Sequence, residues 1–133
     1  MTMKWEKTPL KSDMARAQGL GSAKSGTEHW MMQRITAVSN AVLMIWAIFS
    51  LVGLIGQGVD YQTFTLWLAK PLNAILMVLF IVSTFTHACL GAQVITEDYV
   101  HNEGFKTLKL VAQKLFFIGL GFACVFSILK IAL

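Results

Sequence analysis

The sequence predicts an all-α membrane protein: three transmembrane helices with a cytoplasmic N-terminus, which the polar residues of the second span make part of a heteromeric helix bundle. Three observations predict the spans and their orientation. The first is composition: of 133 residues, 56% are apolar and only 14% charged, where a soluble domain carries about a quarter charged residues. The second is a set of three long apolar runs, at about 35–56, 71–95 and 110–133, each reaching the roughly 20 residues that a helix needs to cross a hydrocarbon core. The third is the placement of positive charge. Six of eleven Lys and Arg residues (Lys4, Lys7, Lys11, Arg16, Lys24 and Arg34) precede the first run. A mean hydropathy of +0.62 excludes disorder, a secreted disulfide scaffold and a free-standing soluble enzyme.

The elements follow in order. Residues 1–34 are a polar segment without the apolar core of a signal peptide, expected in the cytoplasm. They lack the stacking aromatics and recognition helix that would turn a basic tail into a nucleic-acid binder, so no nucleic-acid partner is expected. The stretch Gly19 to Gly26, GLGSAKSG, approximates a phosphate loop. It fails the pattern because Ala23, not Gly, precedes Lys24. Residues 35–133 form the membrane anchor. Gly56-Gln57-Gly58 ends the first span. Pro71 suits the first turn of the second, where its missing N–H costs nothing. Asn102-Glu103-Gly104 separates the second from the third. Gly119 and Ala123 make a small-xxx-small step expected to bring the third span close to a neighbour. With the N-terminus inside, Lys106 and Lys109 join the tail charges there and Lys114 snorkels to the same surface, leaving Lys70 and Lys130 outside. Cys89 and Cys124 fall within apolar runs, where cysteine packs as a small hydrophobe.

Chemistry concentrates in the second span and its exit, THACLGAQVITEDYVH from Thr86 to His101. Helical spacing puts Ser83, Thr84, His87, Gly91 and Asp98 on one small, polar side. Such a side turns toward protein or a cofactor, not lipid. His87 lies deep in the run, and a neutral imidazole is a good haem iron ligand. No second histidine sits at that depth, so a second ligand has to come from another chain. Asp98 and Tyr99 follow where the helix reaches the inner surface. There a phenol can donate to a quinone carbonyl and a carboxylate can tune it or relay a proton, although a tyrosine at that level also serves as an interfacial anchor. Arg34 opens the first span, at the level of a cofactor's carboxylates if one hung between the helices. His29 precedes it. Met31, Met32 and Trp46 are expected to pack.

With these residues in place the chain resembles the cytochrome b-type hydrophobic membrane anchor of succinate dehydrogenase (complex II), D-type. The resemblance rests on the length with three spans, on GLGSAKSGTEHW leading through MMQR into the first, and on the H-x10-D-Y pattern of His87, Asp98 and Tyr99. It implies that His87 is an axial ligand to a haem b shared with a second cytochrome b anchor subunit. It further implies that Tyr99 hydrogen-bonds ubiquinone with Asp98 beside it, that Arg34 lies near the haem propionates, and that His29, similar to a histidine preceding this arginine in the family, belongs to the cofactor-binding set. The partners it implies are that second anchor, an iron–sulfur subunit, a flavoprotein subunit and the bilayer. The chain itself would carry no catalytic residues.

A bacterial inner membrane is favoured over a mitochondrial one, because no Arg- and Ser-rich presequence precedes the tail. Alternatives are a small scaffold or transporter subunit without haem, or the anchor of a related fumarate reductase. Transport would call for a continuous polar path, and Ser39, Asn40, Ser50, Gln113 and Ser127 do not form one.

Overall fold

A computed structural model describes Met14, residues 26–58 and residues 60–133. All regular structure among these residues is α-helical: α1 (Gly26–Gly56), α2 (Tyr61–Leu68), α3 (Pro71–Tyr99) and α4 (Glu103–Ala132). Three of them, α1, α3 and α4, are long and apolar enough to cross a membrane. The Gly19–Ser25 part of the phosphate-loop-like stretch, and every basic residue of the tail except Arg34, lie outside the described residues.

Each boundary has a local cause. At the end of α1 the Gln57 side chain donates to the Gly53 carbonyl (3.1 Å). Gly58 then turns the chain with φ +85°, a conformation that glycine adopts without steric cost. Asp60 caps α2, its carboxylate accepting from the Thr63 N–H at 2.6 Å. These hydrogen bonds from Thr63 hold the Asp60 carboxyl below the usual carboxylate range. Pro71 opens α3 as expected. At its far end the Lys106 ammonium donates to the Glu97 carbonyl (3.2 Å), placing a cation on the negative end of the helix dipole. Asn102 caps α4 by accepting from the Phe105 N–H (3.1 Å).

The long helices extend past the apolar runs. They have 31, 29 and 30 residues, or about 45 Å at 1.5 Å per residue, against a hydrocarbon core of about 30 Å. Helix α1 begins at Gly26 and not near Ile35, and α4 at Glu103 and not near Leu110. The polar ends are helical because a turn projecting into the headgroup layer keeps its backbone bonds satisfied internally while its side chains meet water. The sequence reading also passed over α2, which fills most of the connector between the first two spans.

Helix α3 is the centre, packed antiparallel against α1 on one side and α4 on the other. The described chain buries little of itself. Leu43, Leu54 and Leu68 are its buried apolar residues, while large side chains such as Phe49, Leu72, Phe122 and Phe126 are exposed. So much exposed apolar surface fits lipid and neighbouring helices, not water.

Within this chain the third span meets α3 at one of its glycines. Gly119 has nothing within 4 Å of a Cβ built on it, whereas one on Gly121 would meet the Phe85 ring at 3.6 Å. The close approach to α3 is therefore made at Gly121. Gly119, two residues away and about 200° round the helix, faces outward.

Candidate functional site

The predicted polar side of α3 lies against α1. His87 Nδ1 is 3.0 Å from Thr36 Oγ1, Ser83 donates to the Thr36 carbonyl (3.4 Å), and Thr84 donates to Asn40 Oδ1 (3.4 Å). A Cβ on Gly91 would meet Gln33 Nε2 at 3.8 Å, an ordinary contact distance, so Gly91 faces α1. On α1 the partners Gln33, Thr36 and Asn40 recur at helical spacing and form a second polar stripe, with His29 one turn before it. Sequence reasoning missed that stripe, although its spacing could have revealed it. In a bilayer each such interhelical hydrogen bond contributes about 0.6–2 kcal/mol.

Thr36 is 6% exposed. Its hydroxyl donates back into its own helix, to the Met32 carbonyl at 2.8 Å, with the Gln33 carbonyl at 3.2 Å. The His87 ring is thus pinned through Nδ1. Among the described residues its Nε2 is engaged by none.

The other predicted residues take different places. His29 is half-buried on the α3-facing side of α1, and among the described residues its Nε2 has no hydrogen-bond partner. It lines an open cavity of about 480 Å³ with Glu28, Met32, Gln93 and Glu97. Arg34 lies two residues from Thr36, about 200° round α1, and faces away from α3. Its guanidinium sits over the Trp30 ring, 5.2 Å from the centroid, a cation–π contact. Asp98 and Tyr99 are exposed at the last turn of α3, Tyr99 by 77%. Tyr99 is twelve residues from His87, about 18 Å along the axis. The fold therefore brings His87 and His29 to the α1–α3 seam, turns Arg34 away from it, and leaves Asp98 and Tyr99 exposed at the end of α3, about 17–18 Å along the axis from His87.

The opposite side of α3 is different in kind. Phe85 meets Phe117 edge-on, with centroids 6.4 Å apart. An apolar groove of about 460 Å³ runs beside them, lined by Val82, Cys89, Ile118 and Phe122 among others. One polar pair ties the two helices, where Thr96 (1% exposed) donates to Gln113 Oε1 at 2.9 Å.

Comparison with known proteins agrees with this architecture. The model of the succinate dehydrogenase/fumarate reductase transmembrane subunit family matches residues 7–129. The succinate dehydrogenase hydrophobic membrane anchor subunit of Rickettsia conorii is 33% identical over 110 residues, covering 82% of this chain and 86% of its own. That of Rickettsia bellii is 32% identical over 109 residues, with the same coverage. The succinate dehydrogenase membrane anchor subunit of Reclinomonas americana is 37% identical over 89 residues, 65% of this chain and 73% of its own. No solved structure matches the chain at a significant level. With three apolar helices and a family match spanning nearly its whole length, the chain belongs to the succinate dehydrogenase/fumarate reductase transmembrane subunit family.

Proposed function

We propose that this chain is the membrane anchor of a succinate:ubiquinone oxidoreductase, docking the flavoprotein and iron–sulfur subunits to the bilayer beside a second cytochrome b anchor subunit. In this reading His87 supplies one axial ligand to a haem b shared with that second anchor, and Asp98 and Tyr99 form part of the ubiquinone site. The relatives named as succinate dehydrogenase anchors support the anchor role over that of a transporter or scaffold, and succinate oxidation over fumarate reduction.

The observation that carries the haem assignment is the His87 ring, deep in an apolar helix and held by one nitrogen. An intramembrane histidine is expensive to place, and a ring pinned through Nδ1 leaves Nε2 for another task. The donors fit a haem in one further respect, since His29 on the same seam offers a buried ring nitrogen without a partner among the described residues. Arg34 carries a permanent cation suited to carboxylates, but it faces the side of α1 away from His87. Haem, when bound, supplies one-electron redox chemistry. What this chain adds is a ligand, its orientation and a low-dielectric surround.

At the quinone end the exposed Tyr99 phenol donates a hydrogen bond to a quinone carbonyl, and the Asp98 carboxylate beside it accepts or passes a proton. Both need walls from partner subunits, because their own helix leaves them open. Positive charge on Lys106, Lys109 and the tail supports a cytoplasmic position for this end, in a bacterial inner membrane.

Purification of the tagged chain in mild detergent tests the assignment. Recovery of a flavoprotein, an iron–sulfur protein and a second three-span chain is expected, and recovery of the chain alone from an otherwise intact preparation overturns it. Tyr99→Phe is expected to lower succinate–ubiquinone reduction about tenfold without loss of assembly, the worth of one hydrogen bond of roughly 1.4 kcal/mol. Full activity in that variant removes Tyr99 from the quinone site.

A further inference from the structure

We propose that Thr36 is a positioning residue that fixes His87 as the Nδ1–H tautomer, so that Nε2 carries the lone pair toward the haem iron; this rests on the haem reading above. The argument starts from proton counting. A threonine hydroxyl has one proton to give. Thr36 Oγ1 lies 2.8 Å from the Met32 carbonyl and 3.2 Å from that of Gln33, so its proton is committed to the backbone of its own helix. Turning that proton toward the histidine would leave oxygen lone pairs facing each other at those distances with nothing between them. The 3.0 Å contact to His87 therefore runs from Nδ1–H to Oγ1. A neutral imidazole protonated at Nδ1 presents its lone pair at Nε2.

The same bond does more than choose a tautomer. A hydrogen-bond acceptor behind a metal-bound imidazole sets the ring's orientation and raises its basicity. Thr36 is a stiff acceptor, since a β-branched side chain in a helix has few rotamers open to it. Its carbonyl is in turn tied to Ser83, one turn before His87 on α3. Both helices thus hold the ring in one pose.

The test uses the whole complex purified from membranes with wild-type chain, Thr36→Val, Thr36→Ser and His87→Ala. Valine keeps the shape of threonine and removes the acceptor. Thr36→Val is expected to weaken haem retention about 10–100-fold and to shift the haem midpoint potential upward, because a less basic imidazole stabilises ferric iron less. Thr36→Ser is expected to restore both. If His87→Ala removes the haem signal but Thr36→Val changes neither retention nor potential, the Thr36 proposal is overturned and the haem reading stands. If His87→Ala leaves the haem signal intact, both fall together. A second measurement serves should Thr36→Val not assemble: solid-state ¹⁵N NMR of the histidine-labelled, haem-free full-length chain in bilayers, with His87 assigned from His29→Asn and His101→Asn chains. A protonated Nδ1 is the expected result, and a protonated Nε2 overturns the proposal.

Discussion

Helix α3 is packed on both sides, and the two sides are made of different material. Toward α1 it presents Ser83, Thr84 and His87, answered by Gln33, Thr36 and Asn40. Toward α4 it presents Phe85 and Cys89, answered by Phe117 and Gly121, with the Thr96–Gln113 pair at one end. His87 and Phe85 are two residues apart, about 200° round the helix, so each belongs wholly to one side. If holding helices together were the only task, the aromatic solution would serve twice, since lipid rewards close packing and polar groups in the membrane are costly. A seam of hydroxyls and amides around one imidazole indicates a second task. The difference teaches where to look for function: at the seam that costs more than packing requires.

Three substitutions sharpen that contrast. The largest effect on stability is expected from Phe85→Ala. The ring is half-buried and its neighbours are lipid and helix, so the loss is of van der Waals contacts, about 1–2 kcal/mol and below the 3–5 kcal/mol of a phenylalanine in a soluble core. It should appear as a lower melting temperature of the complex in detergent. Thr96→Val comes next, at about 1 kcal/mol. It leaves the Gln113 carboxamide without its described donor at the α3–α4 seam, and the same melting assay reads it. An effect on quinone reduction larger than the loss of folded complex would show that this pair serves more than packing.

The smallest effect concerns α2, which belongs to neither seam. Its Trp67 stacks on Trp46 of α1 with centroids 5.8 Å apart. Because Thr63 holds the Asp60 pKa below its ordinary value, the charged cap stabilises α2 fully above the ordinary carboxylate pKa. That contribution is lost as pH falls through the lowered value. Tryptophan emission should shift over that acid range and Asp60→Asn should flatten the shift, with both seams unaffected.

Much of this was legible beforehand. The three long helices follow from apolar run length, and the clustering of Ser83, Thr84, His87 and Gly91 from the 3.6-residue period. What escaped has physical reasons. Helix ends outrun apolar runs because backbone bonding, not side-chain polarity, decides where a helix stops. Tyr61–Leu68 is short and apolar, and blends into a connector between spans. The stripe of Gln33, Thr36 and Asn40 on α1 is short and broken by apolar neighbours, and it acquires meaning only once it is paired with α3. Arg34 and Tyr99 could be placed by level along the helix, but not by the direction they face.

The central claim is that the α1–α3 seam holds a ligand and the α3–α4 seam holds helices. Haem per mole of purified complex, measured in parallel for His87→Ala and Phe85→Ala, tests it most directly. The account predicts that His87→Ala yields assembled complex depleted of haem, while Phe85→Ala yields less complex with haem content per mole unchanged. Equal haem content in wild type and His87→Ala would contradict it.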